Sequence, residues 1–215
     1  KARASATNEI PVSRGILFAS LLLIAGFLTL AWLTNWIVVV IGVIAYILYA
    51  FVYTLSKPRT VHSTLIGAIP GALPAMAGYV AVTGELSVAA WSIFALVTVW
   101  QMPHFYAISL FRKEEYKAAG IPVLGVIRPY GVVKKHILFY LILYLLVVAT
   151  MITTGVVVPA AGLLLLAGAG YWLYVYAFTK GDKLKWSKSV FGASLVLTLL
   201  LPIAGVLNMF LNVSR

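Results

Sequence analysis

Between Trp100 and Pro122 the sequence reads WQMPHFYAISLFRKEEYKAAGIP. It sets Gln101 and His104, three cations (Arg112, Lys113, Lys117) and the adjacent carboxylates Glu114 and Glu115 among aromatic residues. Gln101 and His104 are three apart, so a helix turns both to one side. Polar groups at membrane depth usually face a cavity or the bundle interior. A plainly structural, hydrogen-bonded histidine is the competing reading, against which stand the nearby Gln101, Pro103 and the charge cluster. Carboxylates beside cations at a membrane mouth can hold Mg²⁺, which binds through a few carboxylates, waters and phosphate oxygens. The alternative for Glu114 and Glu115 is a solvated loop with ion pairs worth about 0–1 kcal/mol each.

A second polar group lies in YTLSKPRTVHST. Lys57 follows Tyr53 by one helical turn, so both face the same way. Arg59 comes just after Pro58, which ends the helix. A point charge and a bidentate fork at one rim suit an oxyanion such as a diphosphate. Snorkelling cations at a helix end explain the same spacing, and spacing alone does not choose.

Membrane helices must position these residues. The chain has 215 residues, 63% hydrophobic and 10% charged, with a mean hydropathy of +1.04. A soluble domain carries about a quarter charged residues, so this composition gives an integral membrane protein. No cysteine is present, which excludes a disulfide framework or a thiolate metal site. The net charge of +11 is explained by basic cytoplasmic loops rather than by nucleic acid.

Apolar runs of about 20 residues fall at 15–33, 36–55, 64–83, 88–110, 133–153, 156–178 and 190–211. In lipid such runs are helices, because a helix satisfies its own backbone. The expected fold class is all-α, a polytopic transmembrane helical bundle. With seven spans, 15 of the 16 cations fall on one side, and only Arg215 on the other. That bias assigns the basic loops to the cytoplasm. In the third span Gly67, Gly71 and Ala75 form a small-residue face that permits close helix approach or lines a cavity; Pro70 and Pro74 are expected to kink it. The basic stretches around Lys134–Lys135 and Lys180–Lys188 read as topology signals, with Trp186 as an interface anchor. The chain starts at Lys1 without room for a signal peptide, so it is expected to begin inside a longer protein.

The run WQMPHFYAISLFRKEEYKAAGIPVLGV resembles the signature of the protoheme IX farnesyltransferase branch of the UbiA-type intramembrane prenyltransferases. YTLSKPRT is similar to the superfamily's Tyr-x-x-x-Lys element, and STLIGAIPGALPAMAGYVAVTG to the same branch. The resemblance implies a nine-span bundle around a cavity open to the cytoplasm and sideways to lipid. It implies farnesyl diphosphate held with its diphosphate on Mg²⁺ at the mouth, and transfer of the farnesyl group to a vinyl group of heme b, giving heme O. On that analogy Lys57 and Arg59 grip the diphosphate, with Tyr53 orienting it. Arg112 and Lys113 add charge, Glu115 beside Glu114 takes the metal role, and Gln101 and His104 lie on the heme side. His104 and Tyr53 are the implied catalytic residues, His104 acting through a hydrogen bond in preference to an iron contact. A bacterial inner membrane, the lipid bilayer itself, and contacts with heme-copper oxidase assembly or a heme A synthase are implied as location and partners.

The sequence also departs from the branch. Glu115 replaces an Asp, Ala119 falls where a second Asp is expected, Gly125 replaces a Pro, and no Asp precedes Asp182. The expectation is therefore one membrane domain over 1–215, a fragment without the first two spans and the first Asp-rich motif, inactive alone. KARASATNEIPVSRG would be the tail of the first loop. Two rivals are a UbiA-type transferase with an aromatic acceptor such as hydroxybenzoate, and a non-catalytic transport or assembly protein. Against transport, residues 15–83 and 133–211 show no related halves.

Overall fold

The computed structural model describes residues 11–213. Lys1, Arg3 and Arg215 of the charge pattern, and the loop-tail reading of 1–10, lie outside the described residues. Nine helices follow one another among the described residues: α1 (Val12–Leu33), α2 (Trp36–Ser56), α3 (Ser63–Thr83), α4 (Val88–Phe111), α5 (Lys113–Ala118), α6 (Leu124–Ile127), α7 (Tyr130–Thr153), α8 (Pro159–Phe178) and α9 (Lys183–Val213). No strand occurs among the described residues. Seven helices are long and apolar enough to cross a membrane, α1 to α4 and α7 to α9. These are the seven spans expected from hydropathy.

Local chemistry sets the helix ends. The Asn35 side chain accepts from the Ile37 and Val38 amides at the start of α2, a standard N-cap. The same side chain donates to the Val80 carbonyl at 2.8 Å, pinning α2 to the end of α3. Gly84 closes α3 at φ 76°, a left-handed conformation that costs glycine little. Asp182 accepts from the Lys185 amide at 2.7 Å and so starts α9 at Lys183, earlier than the apolar run beginning at 190. The polar connection 111–131 contains α5 and α6 and is not plain loop. Pro70, Pro74, Pro103 and Pro202 all lie inside helices.

Helix α4 is central and packs against α3, α7 and α9; α8 packs on α7 and α9. One buried cluster joins α4, α7, α8 and α9, and a smaller one joins α2 to α3. Indole N–H groups stitch the larger cluster. Trp172 donates to the Val190 carbonyl at 2.8 Å and Trp100 to the Ser194 carbonyl at 3.1 Å. Such interhelical bonds are worth roughly 0.6–2 kcal/mol each in membranes. Helix α1 packs on α2 and buries no residue of its own.

The expectation that Trp186 anchors to the interface is corrected. It is 3% exposed, donates to the Tyr176 carbonyl at 2.9 Å and lies edge-on to Tyr130 and Tyr176. The Lys134 ammonium sits over both Trp186 and Tyr176, 4.9 and 5.1 Å from the ring centres. Lys183 sits over Tyr130 at 5.6 Å. These contacts gather the starts of α7 and α9 and the end of α8 at one basic end of the bundle.

Candidate active-site cavity at the basic end

At that end the second half of α2 departs from α-geometry: Leu48–Tyr53 is π-helical. Such widened turns recur at functional sites. Tyr49, Tyr53 and Lys57, spaced four apart along this segment, all line one cavity of about 270 Å³. The Tyr49 and Tyr53 rings lie 5.3 Å apart. The Lys57 ammonium stands 5.8 Å from the centre of the Tyr53 ring, and Lys57 forms no ion pair among the described residues.

The facing wall is α3. The Tyr53 ring sits against Gly67, where a Cβ would come within 2.7 Å of it. One turn on, a Cβ at Gly71 would run into the Gln101 amide. The small-residue face read from the sequence therefore makes room for two side chains of the cavity, one from α2 and one from α4. Ser63 and Thr64 add hydroxyls at the start of α3.

Gln101 is 6% exposed. Its Nε2 donates to the carbonyls of Ala68 at 3.1 Å and Val97 at 3.3 Å. With both amide hydrogens used, the carbonyl oxygen is the polar atom left toward Gly71 and the cavity. Phe105, Ser109 and Val123 complete the inner wall. The Ser109 hydroxyl is occupied by the Tyr106 carbonyl at 2.7 Å. Gly125 of α6 presses on the Ser109 backbone so closely that no Cβ fits there.

Tyr116 of α5 also lines the cavity. Burial pushes its phenol above the ordinary value of 10; Arg112 opposes the shift and Glu115 adds to it. Tyr116 thus stays a neutral hydrogen-bond donor beside a cation, suited to an anionic oxygen.

The other predicted site residues are dispersed. Arg59 is exposed two residues beyond Lys57. Arg112, Lys113, Glu114 and Glu115 line a separate recess of about 580 Å³, which also takes in Tyr130 and Lys183. Arg112 pairs with Glu115 at 3.7 Å, with side chains 56% and 72% exposed. His104 lies in the seam between α4 and α9, outside the cavity lining. Its Nδ1 is 2.7 Å from the Ser194 hydroxyl, and its ring stacks on Trp100 and meets Phe191, with both centroids at 4.9 Å. The Ser194 hydroxyl donates to the Phe191 carbonyl, so His104 Nδ1 carries the hydrogen.

Sequence reasoning named Tyr53, Lys57, Gln101 and the Gly67–Gly71 face of this cavity and gave no site role to Tyr49, Ser63, Thr64, Phe105, Ser109 and Tyr116. For Tyr49 a signal existed, since it stands two turns before Lys57 on the same face.

The profile of the UbiA prenyltransferase family matches residues 1–205. The chain belongs to the UbiA prenyltransferase family. Among its relatives, Protoheme IX farnesyltransferase 1 of Bacillus velezensis is 40% identical over 99% of this chain and 68% of its own length. Protoheme IX farnesyltransferase 1 of Bacillus subtilis is 36% identical over 98% of this chain and 68% of its own. Protoheme IX farnesyltransferase 2 of Shewanella loihica is 35% identical over 96% and 68%. The chain thus spans about two thirds of the length of these relatives. No solved structure matches it.

Magnesium does not fit the residues described. No three His, Cys, Asp or Glu side chains converge among them. Glu114 and Glu115 are exposed on a one-and-a-half-turn helix, and Glu115 is engaged by Arg112. Among the described residues that line the cavity, the side chains available to an anion are Lys57 and hydroxyls.

Proposed function

We propose that the chain carries the transfer of a farnesyl group from farnesyl diphosphate to a vinyl group of heme b, with the cavity between α2, α3, α4 and α5 as the donor site. The observation that carries this reading is the pairing of an unneutralised Lys57 at the rim with a hollow carved by Gly67 and Gly71. The names of the relatives supply the acceptor.

The chemistry balances without a redox partner. Lys57, with Tyr53 and Tyr116 hydroxyls beside it, takes the diphosphate. Its C–O bond breaks, and the electron pair leaves with the diphosphate. Fixed donors at the place where charge accumulates lower that barrier. The rings of Tyr49, Tyr53 and Phe105 offer π-faces to the allylic cation. The vinyl terminal carbon forms the new C–C bond. Water adds to the resulting ring-adjacent cation and loses a proton, leaving a hydroxyethylfarnesyl heme. Arg59, Arg112 and Lys113 raise the positive potential near the mouth and draw the anionic substrate in. His104 holds α4 against α9, keeping Gln101 turned to the cavity.

On this reading 1–215 is a single membrane domain of a bacterial plasma membrane, its basic end in the cytoplasm by charge bias. Its product would pass to a heme A synthase or to oxidase assembly. The protein at its full natural length, given farnesyl diphosphate with either heme b or hydroxybenzoate, should consume heme and yield the farnesylated heme on chromatography. Prenylated hydroxybenzoate with untouched heme would overturn the assignment.

A further inference from the structure

A second hollow lies beside the first. It measures about 500 Å³, within the roughly 300–1,000 Å³ range of small-molecule sites. Three pairs of sequence neighbours are divided between the two: Ser63, Phe105 and Val123 line the first cavity, while His62, Tyr106 and Leu124 line the second. The wall between them is a single layer of residues.

This hollow collects two of the chain's three histidines; the third, His104, is committed to Ser194. His136 is already oriented. Its Nδ1 lies 2.9 Å from the Val132 carbonyl, and a carbonyl can only accept, so Nδ1 carries the hydrogen. In the neutral ring the lone pair is then on Nε2. Metal-binding histidines are held in this way, one ring nitrogen donating to a carbonyl while the other faces the metal. The Tyr106 ring meets the His136 ring edge-on, at 6.0 Å and 87°.

Around it the hollow is lined by aromatic and apolar side chains together with Lys135 and His62. Tyr140 lies 6.0 Å from Tyr106 and 5.2 Å from Phe139. Phe139 is 56% exposed on the outer face of the bundle, so the hollow opens toward lipid. A flat aromatic surface, an imidazole whose Nδ1 is already committed, and the Lys135 ammonium match a planar, iron-bearing, dicarboxylate macrocycle entering from the membrane.

We infer that the groove between the start of α3 and α7 is the heme acceptor site, with His136 Nε2 on the iron and Lys135 and His62 at the carboxylate edge. This rests on the proposed farnesyl transfer and says where its acceptor sits: across a one-residue wall from the donor.

The test is a spectroscopic titration of the purified protein with ferric heme b, and in parallel with metal-free protoporphyrin IX. Wild type should give the Soret band of an imidazole-ligated heme. His136→Ala should lose that band and bind heme at least about tenfold more weakly, while binding metal-free protoporphyrin as wild type does. Added imidazole should restore the band, which a misfolded variant would not show. Lys135→Ala should weaken both ligands alike. A wild-type band and affinity in His136→Ala, or loss of the band in His62→Ala instead, would overturn the inference. Farnesyl transfer is scored separately. A His136-dependent band without farnesylated product would sink the proposed function and leave the site. Product formation with a His136-independent band would do the reverse.

Discussion

The ring of Tyr53 rests directly on the α-carbon of Gly67, so that a single added methyl would lie 2.7 Å from the ring's Cε2 atom. Gly67→Ala must therefore displace the tyrosine or part α2 from α3. Overpacking of this kind costs roughly 1–3 kcal/mol. Thermal unfolding in detergent should show the loss, and diphosphate release should fall with it. Adding Tyr53→Leu should recover the stability but not the activity. Recovery of both would mean that the ring fills space and nothing more.

Lys57→Ala should cut farnesylated heme at least about a hundredfold, the scale expected when one charge-stabilising donor is removed. Lys57→Arg should retain part of the activity, because the charge remains. Chromatography of the heme products reads both, and near-wild-type yield from Lys57→Ala would remove this residue from the diphosphate role.

The double variant Glu114→Gln/Glu115→Gln tests the carboxylates at the outer recess. Their only ion pair among the described residues is the exposed Arg112–Glu115 contact, worth about 0–1 kcal/mol. Any magnesium dependence of product formation should shift less than about twofold, because both carboxylates are exposed and Glu115 is engaged by Arg112. A marked shift would return Glu115 to the metal.

Gly125→Ala should be more damaging than its conservative chemistry suggests. The new methyl would meet the backbone of Ser109, not a side-chain tip that can swing away. A loss of about 2 kcal/mol or more, at the upper part of the overpacking range, is expected in the unfolding midpoint. A neutral result would show that α6 shifts freely on α4.

Tyr144 lies fully buried in the core with a hydroxyl that lacks a hydrogen-bond partner among the described residues. An unmet buried hydroxyl costs about 1–3 kcal/mol. Tyr144→Phe should therefore raise stability by about 1 kcal/mol, and a lowered melting temperature would point to a partner for the hydroxyl.

The bundle was legible because lipid imposes a length and an apolar content that hydropathy reads directly. The helix start at Asp182 was also written in the chain, as an N-cap residue before KLKW, but the search for apolar runs passed over it. Charge spacing exposed Lys57, because cations at a rim are few. Gly67 and Gly71 could be read as small, yet nothing local says that one receives a tyrosine from α2 and the other a glutamine from α4. Those are long-range pairings set by packing. Trp186 looked like an anchor because tryptophans near membrane ends usually are; here Lys134 and two tyrosines enclose it. His136 was hidden among lysines that topology alone explained.

The widened turn at Leu48–Tyr53 has a consequence for how this rim could evolve. A π-turn is what remains when an α-helix absorbs one surplus residue without breaking. Removing one residue from that stretch would let the segment relax to ordinary helix. Everything after it would keep its phase, because the widened turn holds only the surplus residue, and the Lys57 ammonium would stay at the hollow. One codon's deletion would thus cost the rim its widened turn while sparing both the Lys57 position and the length each span needs to cross the bilayer.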